Sequence, residues 1–98
     1  MNTIKKLRNR IDAIDKKIIK LLDERMENAY KIGKYKGEND LQIIVSNREE
    51  EIYDSLKTIQ TGYLSEQEIL HLYKEIIKIG RKHGLEGKEK VEKEEKGI

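Results

Sequence analysis

Advancing 100° per residue, Arg25 and Lys36 point in the same direction as Leu7, Ile11, Ile18 and Ala29, and Arg8 sits on the edge of that stripe. Cations on an apolar face have two ordinary explanations: they snorkel to water, or they pair with acids such as Glu49. Three on one stripe favour a buried anion site, because an unpaired buried cation is expensive. Arg25 and Lys36 are three turns apart, about 16 Å of rise, so extended side chains can lean towards a small anion between them. Arg8 stands about 25 Å from Arg25 along the same helix and cannot join them in cis. An antiparallel partner helix would supply it in trans. These residues therefore predict a site for an anionic ligand, shared between two subunits.

Arg48 and Glu49 open a second helix. Glu49 lies three residues beyond Ser46, the spacing of a capping box, which accounts for it as helix-start chemistry. Alternatively this helix end faces the polar pocket, with Glu49 accepting a ligand hydroxyl and Arg48 adding positive potential. His71 and His83 lack metal-ligand spacing, so no metal is expected. Ser, His and Asp form no recognisable triad, and no Gly-rich loop suggests a nucleotide. The tyrosines at 30, 35, 53, 63 and 73 are too scattered for a base-stacking platform and suit the edge of a core.

The elements that hold these residues are helices. Ile4, Leu7, Ile11, Ile14, Ile18 and Leu21 alternate spacings of three and four, and Leu22, Ala29 and Ile32 extend the stripe. One amphipathic helix is predicted from about residue 4 to about residue 36, with Gly37 and Asn39-Asp40 as its end signal. At about 1.5 Å per residue it is roughly 50 Å long, against a radius of gyration of about 13 Å for a compact domain of this size. It must overhang its own domain, and the apolar overhang predicts a helical homodimer. The second helix carries Ile52, Leu56 and Ile59 and is expected to end at Thr61-Gly62. Ser65-Glu66-Gln67-Glu68 repeats the capping box and opens a third, with Ile69, Leu72, Tyr73, Ile76, Ile77 and Ile79 on its apolar face. Gly84 reads as its stop. Residues 86–98, almost wholly Lys, Glu and Gly, read as a solvated helical extension or frayed tail appended to a domain at 1–85.

Composition narrows the classes. The chain has 98 residues, 41% of them charged, with no Pro, Cys, Trp or Phe. So short a chain holds one core and benefits from a partner. Without Cys there are no disulfides, thiolate metal sites or cysteine nucleophiles, and a reducing, cytoplasmic setting is expected. No apolar run approaches the roughly 20 residues of a membrane span. The net charge is only +2, with signs interleaved, which argues against nucleic-acid binding.

Taken in order, these motifs resemble the all-helical, AroQ-type chorismate mutases. The resemblance covers roughly residues 4 to 85. It rests on Leu7-Arg8 followed by Ile11-Asp12-Ala13-Ile14-Asp15, on Leu21-Leu22-Asp23-Glu24-Arg25, on Ile32-Gly33-Lys34-Tyr35-Lys36, on Arg48-Glu49-Glu50, and on Tyr73-Lys74-Glu75-Ile76-Ile77. It implies an intertwined, all-α homodimer of three-helix chains that converts chorismate to prephenate in aromatic amino acid biosynthesis, without a cofactor. It further implies that Arg8 of the other subunit and Arg25 hold the substrate carboxylates, that Lys36 donates to the ether oxygen, that Glu49 takes the hydroxyl, and that Arg48 contributes to the pocket. A helical dimerisation or regulatory module of the same fold is the alternative.

The chain departs from the family pattern at three positions. Val45 stands where the family usually has Asp, Gly80 where it has a small polar residue, and Gly84 where it has a Gln or Glu that donates to the ether oxygen. An oxyanion-type donor of that kind is typically worth a factor of about 10² to 10³. Unless the register slips and His83 or Glu86 substitutes, either the enzyme is slower or differently completed than its relatives, or the third helix ends elsewhere.

Overall fold

The computed structural model describes residues 2–42 and 46–96. Three helices follow one another: α1 (Asn2–Glu38), α2 (Ser46–Lys57) and α3 (Glu66–Lys96). Among the described residues there is no strand, in line with the all-α expectation. The molecule is a rod, 64 × 28 × 14 Å, with a radius of gyration of 17.7 Å, where a compact domain of this length would measure about 13 Å.

Local chemistry accounts for most of the helix ends. At the start of α3, the Glu68 amide donates to Ser65 Oγ (3.1 Å) and the Ser65 amide donates to Glu68 Oε1 (2.9 Å), a reciprocal capping box. Those bonds hold the Glu68 carboxyl below its ordinary pKa, the backbone bond from Ser65 first among the causes. At the end of α1, Asp40 takes the left-handed conformation (φ 54°) and the Leu41 amide turns back to the Lys36 carbonyl (2.8 Å). The terminator is thus Asp40, while Gly37 stays inside the helix, buried. The α2 helix stops at Lys57, short of the expected Thr61-Gly62. The Thr58 amide and hydroxyl both bond to the Ser55 carbonyl, and the Ile59 amide bonds to that of Leu56. These tighter, three-residue bonds end the α-helical ladder before the glycine is reached. The first capping box turns on the Ser46 side chain, which lies outside the described residues, as do Ile43, Ile44 and Val45.

The largest departure from expectation is in α3. Gly84 does not stop it; the helix runs through Gly84 and Gly87 to Lys96. No described glycine has a positive φ, so Gly84 is not used for the left-handed turn of a C-cap. Its missing side chain serves packing instead. A Cβ added to Gly33 of α1 would lie 1.8 Å from the Gly84 carbonyl oxygen, and one added to Gly87 would lie 2.3 Å from the Tyr30 carbonyl oxygen. The two helices touch backbone to backbone. They run parallel, as shown by Gly80 beside Arg25, Gly84 beside Gly33, and Lys88 and Val91 beside Gly37.

The extension therefore has a packing partner. Val91 is 6% exposed and lies over Gly37, and with Ile77 (5%) it makes up the buried apolar core among the described residues. Such a core is very small for a chain this long. At the other end, every residue from Asn2 to Leu21 is exposed, the predicted stripe included: Ile4 is 59% exposed, Ile11 55% and Ile18 47%.

Candidate functional site

A cavity of about 390 Å³ opens where the second half of α1, the start of α2 and the middle of α3 converge. Its α1 wall is Arg25, Asn28, Ala29, Ile32, Gly33 and Lys36, spaced by three and one, so that a single helix face lines it. Arg48, Glu49 and Ile52 come from the first turns of α2, and Ile77, Gly80, Arg81 and Gly84 from α3. Four cations thus surround one acid, over an apolar floor of Ile32, Ile52 and Ile77. Such a site suits a small, multiply charged anion.

Each cation is held differently. The Arg25 guanidinium stacks over the Tyr73 ring, 5.9 Å from its centroid. Gly80 leaves room for it, since a Cβ there would sit 3.1 Å from Arg25 Nη1. Lys36 lines the same wall three turns further along, as the helical-wheel argument required. Arg48 borders the cavity while its guanidinium reaches back to Glu51 of its own helix at 3.5 Å, with both side chains largely exposed.

Arg81 is the residue that sequence reasoning missed. Its Nε and Nη2 donate to the two oxygens of Glu49, at 2.7 and 2.5 Å, in a bidentate fork between α3 and α2. These hydrogen bonds hold the Glu49 carboxyl below its ordinary pKa, against the opposing effect of partial burial, and the nearby positive charge adds to them. The same bonds raise Arg81 further above its ordinary value. The signal was present in the sequence. Arg81 is four residues after Ile77 and three before Gly84, a cation on an otherwise apolar face, just as Arg25 is on α1.

Of the residues singled out in the sequence, the chain brings together Arg25, Lys36, Arg48 and Glu49 and leaves Arg8 out, exposed on the far part of α1. Gly80 and Gly84 line the cavity and contribute no side-chain donor. His83 and Glu86 do not replace one: His83 Nδ1 faces Glu86 Oε2 at 3.5 Å, and neither residue lines the cavity. Among the described residues no group of His, Cys, Asp or Glu is arranged to hold a metal ion. No described helix is long and apolar enough to cross a membrane.

Comparison with known proteins places this geometry. The chorismate mutase type II family matches residues 7–84, most of the chain and all of the cavity's lining. A bifunctional chorismate mutase/prephenate dehydratase of Aquifex aeolicus (strain VF5) is 38% identical over 81 residues, covering 79% of this chain and 22% of that protein. The enzyme of the same name from Neisseria gonorrhoeae (strain ATCC 700825 / FA 1090) is 31% identical over 70 residues, 71% of this chain and 19% of that one. The chain thus spans about a fifth of the length of these curated relatives. No solved structure matches it. With a matching sequence over residues 7–84 and a three-helix fold that gathers Arg25, Lys36, Arg48 and Glu49 in one cavity, the chain belongs to the type II chorismate mutase family.

Proposed function

We propose that this chain is a chorismate mutase, an isomerase that rearranges chorismate to prephenate in the cytoplasm, in aromatic amino acid biosynthesis. The observation that carries the reading is the cavity itself: four cations and one carboxylate around an apolar floor, without an activated nucleophile. The rearrangement is unimolecular. It breaks an ether C–O bond while a C–C bond forms, and it needs neither cofactor nor proton shuttle. The protein has two tasks, to hold the compact conformer and to stabilise negative charge developing on the ether oxygen. Arg25 would bind a substrate carboxylate, Lys36 would donate to the ether oxygen, Glu49 would accept the substrate hydroxyl, and Arg48 would raise the positive potential at the rim. Residues 1–85 form the catalytic domain in this reading, and residues 86–98 follow it as an appended segment.

The enzyme works as a homodimer in which Arg8 enters the partner's cavity. Two observations support this. The Ile4-to-Ile18 stripe is about half exposed in the single chain, and Arg8 lies too far along α1 to reach its own cavity. One observation favours the alternative of a regulatory module: at the position of the family's second ether-oxygen donor, the Gly84 backbone is pressed against Gly33 and offers no side chain.

Disappearance of chorismate in the presence of purified protein separates the two. Turnover well above the uncatalysed rate is expected, falling by about 10² to 10³ in Arg25→Ala; a rate equal to the uncatalysed one leaves the regulatory module. Mixing Arg8→Ala and Arg25→Ala chains then tests the shared site. Half the dimers formed are mixed and each has one intact site, so about a quarter of wild-type activity should return. No recovery after proven subunit exchange would place Arg8 outside the site.

A further inference from the structure

We infer that Arg81 is a positioning residue for the pocket's acid: it orients the Glu49 carboxylate, through the fork between α3 and α2, so that the remaining lone pairs of Glu49 meet the ligand's hydroxyl. This inference rests on the mutase reading of the site.

Four observations carry it. A carboxylate has about four acceptor positions, and Arg81 uses one on each oxygen, leaving one on each for a ligand. The fork joins residues 49 and 81, on different helices, and α2 otherwise packs only lightly on α3. Glu49 stands near the start of α2, where a single glutamate would otherwise sample several rotamers; a planar bidentate partner reduces it to one. Finally, Arg81 is committed to an acid while Arg25 stacks on an aromatic ring. Of these two cations, the one on α1 is left to meet an anionic ligand.

The charges facing Glu49 come from all three helices: Arg25 and Lys36 on α1, Arg48 on α2 with Tyr53 near Arg81, and Arg81 itself on α3. Removing Arg81 leaves the other cations in place. Glu49 should then titrate higher, nearer its ordinary value of 4.5, and should lose its fixed direction.

The test has one arm without turnover and one with it. Carboxyl NMR titration of Glu49 in the ligand-free protein should show a midpoint below 4.5 in the wild type and a higher one in Arg81→Ala, with Arg81→Lys between them. Identical midpoints in all three overturn the pairing, whatever the protein's activity. In the turnover arm, Arg81→Ala should lower kcat/KM about 10- to 100-fold, and the acidic limb of its pH profile should move up. Arg81→Lys should restore part of the rate, and circular dichroism controls for folding. Because Arg81 acts through Glu49, the double variant Arg81→Ala/Glu49→Ala should be no slower than Glu49→Ala alone. Losses that multiply would mean that Arg81 touches substrate directly and would overturn the positioning role. A wild-type chain with no turnover, but with the Glu49 midpoint shifting as described, would defeat the mutase reading and leave the pairing standing.

Discussion

The two halves of α1 share one apolar period and have opposite surroundings. From Asn2 to Leu21 the helix carries Ile and Leu at its inward positions, all of them exposed in the chain. From Ala29 onwards Gly33 and Gly37, both buried, lie on the flank of that stripe, and there α3 lies in backbone contact. Side-chain size explains the difference. Glycines let a helix of the same chain approach until carbonyl oxygens touch the facing backbone, whereas a column of Ile and Leu holds a neighbour at a full side-chain distance and leaves a wide apolar surface. The cavity sits in the second half because there the walls are drawn together. A helix can thus be divided between intrachain and interchain packing without any break in its hydrophobic pattern.

The sharpest way to break the comparison is to charge the first half. If the proposed dimer packs on this stripe, Ile11→Asp with Ile18→Asp should convert it to a monomer, abolish turnover and lower stability severely, because two carboxylates per chain would be buried without partners. If that face is instead left in water, two surface substitutions should each cost within about 0.5 kcal/mol. Sedimentation velocity decides. An unchanged mass with an unchanged melting curve would remove the case for a second chain on this stripe.

The second test bears on the other half. At an ordinary helix position Gly→Ala gains about 1 kcal/mol from backbone entropy. Gly33→Ala should do the reverse, because its Cβ would fall 1.8 Å from a carbonyl oxygen that belongs to backbone and cannot rotate away. The expected loss is about 2 kcal/mol or more, as in overpacked cores, and the cavity wall at Gly33 should be displaced with it, so that activity falls too. Chemical denaturation measures the sign. A stabilised variant would mean that the helices stand further apart than the glycines suggest.

How far the sequence could be read follows from the kind of signal each feature leaves. The α1 stripe, the inward Arg25 and Lys36, and the Ser65–Glu68 cap were legible because periodicity and capping are local, and here nothing overrode them. Gly84 was misread because one residue type serves two purposes: a left-handed C-cap and a close helix crossing look alike until the partner helix is known. That single ambiguity hid the continuity of α3 through residue 84 and, in an extension read as solvated, the burial of Val91. Arg81 was passed over for a related reason. Helical spacing puts it on the apolar face of α3, but its partner Glu49 lies 32 residues away, on a helix whose start was already accounted for by a cap. Glu49 could be read as cap or as pocket acid from local spacing alone; in the fold it lines the cavity, forked to Arg81.

The smallest effect concerns what the extension of α3 adds to the packed half. Val91 is buried, with its Cβ beside Gly37, so Val91→Ala, which removes two methyl groups, should cost about 1.5 kcal/mol at the usual value per buried carbon. The loss should appear as a lower denaturation midpoint in wild-type and Ile11→Asp/Ile18→Asp backgrounds alike, since the contact lies within one chain. Its dependence on protein concentration should match that of the unsubstituted protein, in contrast to the stripe substitutions, whose effect in the proposed dimer would operate through association and vary with concentration by mass action. A Val91→Ala variant with an unchanged midpoint would mean that residues 86–96 rest on α1 without holding it, and that the packed half of the molecule ends at the Gly33–Gly84 crossing.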